Sequence, residues 1–200
     1  MYQQITNYQP YNEQEAKDKE LLLKVFKQKD VLTRENEVGH FTVSCWVLNQ
    51  NHDKVLMCYH KIYNSWSWLG GHVDGEKNFK KVALKEVQEE SGLENVSFMS
   101  DDLFSLEVLT VDGHVKRGKY VSSHLHYNVT YLMEANDQDE LKIKEDENKG
   151  LRWFSFEDAL KASTEPWFVE NIYSKLKLVI PFQSLPTPRC RGRTPRRRYR

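Results

Sequence analysis

Apolar and polar positions change their spacing several times along this chain, and each change marks an element. In "NEQEAKDKELLLKVFKQ" (12–28), Leu21, Leu22, Val25 and Phe26 fall on one side at helical spacing. "HFTVSCWVLN" (40–49) is rich in β-branched and aromatic residues and predicts a strand. The turn residues "NQNHD" (49–53) lead into "KVLMCYH" (54–60), a second strand and its expected hairpin partner. A loop bearing Trp66 and Trp68 then runs to Gly70-Gly71, and a helix is expected from about Phe79 to Ser91. Strands follow near 96–111 and 120–135, with "VDGHVKRGK" as the loop between them. Within the second, "HLHYNVTYLMEA" alternates as a strand with two unlike faces does.

An acidic loop (137–148) precedes "LRWFSF", a short strand. Ser155 is a plausible N-cap, with Asp158 three residues on, and a last helix is expected over 166–178. There is no internal repeat. Strands mixed with helices at both ends and in the middle predict an α/β or α+β arrangement, with layers packed on one sheet. The expected organisation is an N-terminal arm and helix (1–29), one domain (30–183) and a tail (184–200).

Composition changes this picture in two places. Ten Tyr, nine Phe and five Trp argue for a packed core. The net charge of zero hides a split, because the tail "SLPTPRCRGRTPRRRYR" holds seven arginines and no acid. The rest of the chain then has 22 basic residues against 29 acidic ones and uses lysine for 19 of the 22. So abrupt a change of habit marks the tail as a segment of different coding origin, outside the fold and disordered by composition. Read instead as a basic arm, it would bind polyanions unspecifically, so no specific nucleic acid is expected. No apolar run approaches the ~20 residues that span a bilayer, and the N-terminus lacks the layout of a secretory signal. Cys45, Cys58 and Cys190 have no CxxC spacing and read as buried or reduced thiols of a cytoplasmic protein.

The candidate chemistry lies in "LKEVQEESGL" (84–93). On a helix Glu86 faces both Glu89 and Glu90, and such like-charge pairs cost roughly 0.2–0.5 kcal/mol each. They also sit near the helix C-terminus, where the dipole disfavours anions. Gly92 reads as the residue that ends the helix. A divalent cation reverses the sign of that cost, and carboxylate oxygens suit Mg²⁺ or Mn²⁺ far better than Zn²⁺. A solvated Lys/Glu face is the competing reading of the glutamates alone, since Lys85 can pair with Glu89. Gly70-Gly71, a glycine pair before the helix that lets backbone approach a ligand, favours the cation.

With those glycines included, "GGHVDGEKNFKKVALKEVQEESGL" resembles the Nudix box, the loop-helix signature of the Nudix hydrolases. It matches at Gly71, Glu86, Val87, Glu89, Glu90, Gly92 and Leu93, a set with a chance of order 10⁻⁷ per starting position from average composition. Lys77 stands at the family's first glutamate, where Glu76 or Asp74 can substitute as the brace between loop and helix. Lys85 replaces an arginine and loses its bidentate geometry. The resemblance implies a Nudix-type α/β/α sandwich around a mixed sheet. It implies hydrolysis of a nucleoside diphosphate linked to another moiety, or a similar small-molecule diphosphate, with Glu86, Glu89 and Glu90 as metal ligands and catalytic carboxylates. Glu147, in the acidic loop, is a candidate base or extra ligand and equally an ordinary loop acid.

Gly70, Gly71, His72 and Lys85 are the candidates for substrate contact. His124 and His126 share one sheet face. A His-x-His pair suggests metal, but no third soft ligand is evident, so a partly solvated face or substrate contact is favoured over zinc. Trp66, Trp68 and Trp153 read as core more than as base-stacking platforms. The alternative to the enzyme is a Nudix-fold binding or sensor module without turnover, for which the two lysine departures leave room. The oligomeric state, a homodimer included, is left open.

Overall fold

The computed structural model describes residues 1–61, 64–116, 118–144 and 148–179. The tail, Cys190 and Glu147 lie outside the described residues. Two helices open the chain, α1 (Tyr2–Asn7) and α2 (Glu13–Val25). Four strands follow: β1 (Gly39–Asn49), β2 (Lys54–His60), β3 (Ser65–Ser67) and β4 (Leu69–His72). Helix α3 (Phe79–Ser91) leads to β5 (Val96–Phe98), β6 (Ser105–Val111), β7 (His114–Lys116), β8 (Lys119–Val121) and β9 (His124–Ala135). The chain continues through β10 (Asn148–Ser155), α4 (Phe156–Ala162), α5 (Pro166–Asn171) and a 3₁₀ turn (Tyr173–Leu178).

Eight strands form one mixed sheet with the path β10-β2-β1-β9-β5; β3 extends beside β2, β4 beside β1 and β6 beside β9. The predicted hairpin is present, with Val47 opposite Leu56 and Leu48 opposite Val55. On its other edge β1 runs parallel to β9, from Gly39 beside Leu125 to Asn49 beside Ala135. Every residue of β1 is buried, which explains its unbroken apolar reading.

Alternation along β1 and β9 sorts the two faces. Phe41, Val43, Cys45 and Val47 join Tyr127, Val129, Tyr131 and Met133 in one core with Val82, Ala83 and Val87 of α3. The opposite face is apolar at one end only. There Trp46, Leu48 and Met57 pack against Phe156, Ala159, Tyr173 and Leu176. Helices thus cover both faces, giving the expected α/β/α layering of an α+β fold.

Several expected loops are ordered further. Residues 65–67, with Trp66 at the centre, form β3, Trp68 joins it to β4, and Gly70-Gly71 lie within β4, because β2 and β1 offer edges there. Residues 114–116 and 119–121 form a small ribbon of β7 and β8. The run 96–111 divides into β5 and β6, which pair with different stretches of β9. Helix α1, too short to announce itself by periodicity, buries Ile5 in the same core as Leu22 and Val25 of α2, while Leu21 faces solvent. The last helix breaks at Ile172. Ser155 caps α4 as expected, accepting from the Asp158 N–H at 3.2 Å.

The remaining half of that second face is polar and holds a buried network. Asn128 of β9 accepts from the hydroxyls of Thr42 and Ser44 at 3.0 and 2.9 Å and donates to Glu107 of β6 at 3.1 Å. Lys175 donates to Glu107 at 2.8 Å and pairs with Glu15 of α2. Tyr8 donates its hydroxyl to Glu15 at 2.7 Å, closing the chain on the N-terminal segment. Burial opposes the charge on Lys175, but Glu107 and Glu15 outweigh it and hold its pKa above the ordinary lysine value. Its contribution to stability is therefore complete below the unfolded lysine value of about 10.4 and is lost as pH rises through the higher folded value.

Lys175→Met leaves two buried glutamates without their cation, and a loss of about 3–5 kcal/mol is expected in urea unfolding at pH 7. The wild-type advantage over this variant should shrink above pH 10.

Candidate active site

β4 lies against β1, with Val43 opposite Gly71 and Ser44 opposite Gly70. This pairing carries both glycines under the last turns of α3. The Gly70 N–H donates to Glu90 Oε2 at 2.9 Å, and Glu90 is almost fully buried. Asn148, the first residue of β10, donates to Glu90 Oε1 at 3.4 Å. The Glu86 carboxyl rests on Gly71 so closely that a Cβ there would stand 2.5 Å from its Cδ. At Gly70 a Cβ would stand 2.2 Å from the Val43 carbonyl oxygen. The glycine pair thus serves two approaches, one to the backbone of β1 and one to a carboxylate.

Glu89 is more exposed and pairs with Lys85 at 3.1 Å and Lys144 at 3.7 Å. The Glu89 contact raises the Lys85 pKa. Lys85 therefore braces Glu89 as a point charge across one helical turn. Ahead of the helix, Glu76 accepts from the Asn78 N–H at 3.0 Å and pairs with Lys81 at 2.9 Å, tying the loop to α3. Asp74 instead holds Arg34 through two hydrogen bonds. Both acids named as substitutes for the residue at Lys77 thus brace this loop, through different partners. Gly92, at φ 72°, ends α3 as the sequence predicts, its N–H donating to the Gln88 carbonyl.

The glycine pair and the three glutamates share one cleft of about 670 Å³. Its lining brings together Gly70, Gly71, His72, Lys85, Glu86, Glu89 and Glu90, seven of the eight residues that sequence reasoning selected, with Glu147 outside the described residues. The floor is Thr42, Ser44 and Asn128, and Arg34, Lys116 and Lys144 add positive charge to the walls. Trp68 and Phe168 line it as well, while Trp68 also packs edge-on against Trp46 and Tyr173. Trp66 packs against Phe154 and Tyr59 in the same manner.

Sequence reasoning missed Asn148, Lys144, Arg34 and the floor residues. Only Lys144 and Asn148 carried a faint signal, as neighbours of the acidic stretch. It also missed His40, which completes a cluster with His124 and His126. Burial, then Arg34 and the neighbouring imidazoles, pushes His72 down to about 3. Cys45 and Cys58 are buried thiols, and burial, then Glu90 and Glu86, pushes the Cys45 thiol up.

A family model described as the NUDIX domain matches residues 39–176. The chain belongs to the Nudix family. Among solved structures, the Nudix chain is similar to a C. elegans Ap4A hydrolase in a binary complex, with TM-score 0.51 and 18% identity over 70% of this chain and 96% of that one. It is similar to the E. coli dihydroneopterin triphosphate pyrophosphohydrolase, with TM-score 0.51 and 14% identity over 70% and 95%. A UDP-X diphosphatase gives TM-score 0.52 and 17% identity over 82% and 71%. At these identities the likeness is one of fold. No curated protein sequence matches the chain.

The two glycines predict different failures. Gly70→Ala meets rigid backbone and should lower the melting temperature. Gly71→Ala meets the end of the Glu86 side chain, so the melting temperature should change little while any hydrolysis that depends on the Glu86 carboxyl falls by about tenfold or more. Thermal melts beside an activity assay check both.

Proposed function

We propose that this protein hydrolyses the diphosphate bond of a nucleoside diphosphate linked to another moiety, or of a similar small molecule, with Mg²⁺ or Mn²⁺ held by Glu86, Glu89 and Glu90. The observation that carries the reading is the placement of three glutamates from one stretch of α3 on a single cleft, with Glu90 fixed by the Gly70 N–H and Glu86 seated on Gly71. Mutual repulsion of these side chains, at the helix end that disfavours anions, is a cost that a hard cation removes. The donor set is all carboxylate oxygen, which fits Mg²⁺ or Mn²⁺. A divalent cation bound there supplies charge neutralisation for the diphosphate and lowers the pKa of a coordinated water.

The chain's own residues do the rest by positioning. Gly70 and Asn148 engage both oxygens of the buried Glu90, which fits it as a fixed ligand. Glu89 reaches solvent, and Lys85 and Lys144 orient it, so it is open to the proton of an attacking water. Arg34, Lys116 and Lys144 give the cleft the positive wall that draws in an anionic substrate. Trp68 and Phe168 offer apolar surface for the organic group beyond the phosphates. Among the described residues no helix is long and apolar enough to cross a membrane.

The test is a panel of dinucleoside polyphosphates, nucleotide sugars and nucleoside triphosphates, assayed with Mg²⁺, with Mn²⁺ and with EDTA. At least one class should yield phosphate products that EDTA abolishes. Glu90→Gln should slow that turnover by about 100-fold or more, the kinetic equivalent of a few kcal/mol of charge stabilisation. No product from any class, with Glu90→Gln indistinguishable from wild type, would replace this reading with a binding or sensor module.

A further inference from the structure

Three imidazoles meet where β1 and β9 begin. His40 stands beside His126 in the parallel register, and His124 precedes it by two residues on the same face. One ring nitrogen from each of the three lies within 4.8 Å of the others. The backbone fixes two of the tautomers. His40 Nδ1 is 3.1 Å from the Asn36 carbonyl oxygen, and His124 Nδ1 is 2.8 Å from that of Ser122. A carbonyl only accepts, so both Nδ1 atoms carry protons, and the neutral tautomer of each ring has its lone pair on Nε2.

His40 Nε2 is buried and has no hydrogen-bond partner, an uncommon condition in a native interior. His124 Nε2 faces His126 Nε2 at 3.2 Å. Anchoring the far nitrogen to a carbonyl while the near one points at a shared centre is how proteins orient metal-bound histidines.

We propose that His40, His124 and His126 form a tri-histidine site for Zn²⁺, chemically distinct from the carboxylate cradle on α3. Imidazole nitrogen suits Zn²⁺, whereas the glutamates suit Mg²⁺. Three such ligands leave one tetrahedral position for water or another donor. Burial, followed by the neighbouring imidazoles, holds His126 down at about 2, and burial lowers His40 too. His126 and His72 line the cleft, so the site opens into the space that Glu86 and Gly71 border.

Zn²⁺ binding to tag-free, chelator-stripped protein tests this, read by competition with a chromophoric chelator and by Co²⁺ visible absorption. The parent protein is Glu90→Gln, which weakens the carboxylate cradle, and Mg²⁺ is present at millimolar concentration. One Zn²⁺ per chain and an intense tetrahedral Co²⁺ spectrum are expected. His40→Ala should weaken Zn²⁺ binding by about 100-fold or more, at least the effect of losing an outer-shell partner. His124→Asn, on a more open ring, gives the same reading if His40→Ala does not fold. Unchanged Zn²⁺ affinity in the folded variants, or no Zn²⁺ bound in the parent protein, would overturn the assignment. Because no arm reads hydrolysis, failure here leaves the diphosphatase reading untouched, and failure there leaves this one.

Discussion

The central strand shares one edge between two partners, and the rest of the site depends on that division. β1 pairs with β2 only at Val47 and Leu48; from Cys45 back to Thr42 the same edge belongs to β4. A strand edge left open inside a fold would carry unsatisfied N–H and C=O groups, so the chain must return to cover it. It returns with Leu69 to His72, which places two glycines against β1 with almost no room between the layers. Only at glycines can α3 bring Glu86 and Glu90 down onto backbone. The carboxylate cluster is thus a consequence of how the edge is covered, as much as of the helix that bears it.

A second constraint comes from the sheet face on which the cleft stands. Along β1 the residues on that face run His40, Thr42, Ser44, Trp46, Leu48. The last two lie under the apolar layer of α4 and the 3₁₀ turn; the first three belong to the cleft and its histidine rim. One strand therefore anchors a core and floors a site with the same set of alternate positions. The floor remains polar because Asn128, Glu107 and Lys175 satisfy one another beneath it. Ion pairs so deeply buried seldom stabilise more than an apolar cluster of the same size would. Here the network links α2, β6, β9 and the 3₁₀ turn, so it registers the N-terminal helices on the site.

The cleft also gathers two kinds of donor. Hard carboxylate oxygens cluster on α3 around Gly70 and Gly71, and soft imidazole nitrogens cluster at the start of β1 and β9. Their electrostatics differ in sign of cost. The glutamates set like charges side by side on one helix, while burial lowers the pKa of His40 and of His126. Lys85 illustrates how a departure from the arginine pattern is accommodated: an ammonium reaches Glu89 across one turn, and Lys144 adds a second cation from the following loop.

By itself the sequence determined the elements with strong periodicity and the chemistry confined to one of them. β2 and α3 appear at their predicted bounds, and Glu86, Glu89, Glu90 and Gly92 could be named because their relation is local to one helix. Tertiary structure alone decided what depends on pairing between distant segments. Residues 65–67 and 69–72 became strand rather than loop because β2 and β1 offered edges, and no local pattern announces such an offer. His40 could not be joined to His124 and His126 from sequence, since 84 residues separate it from the nearer one and only the parallel register of β1 and β9 sets them side by side. Asn128, Lys175 and Glu107 read as ordinary polar residues until the fold buried them together. Spacing along a helix is fixed by the chain's own geometry; adjacency across a sheet is fixed by which strands pair and in which register.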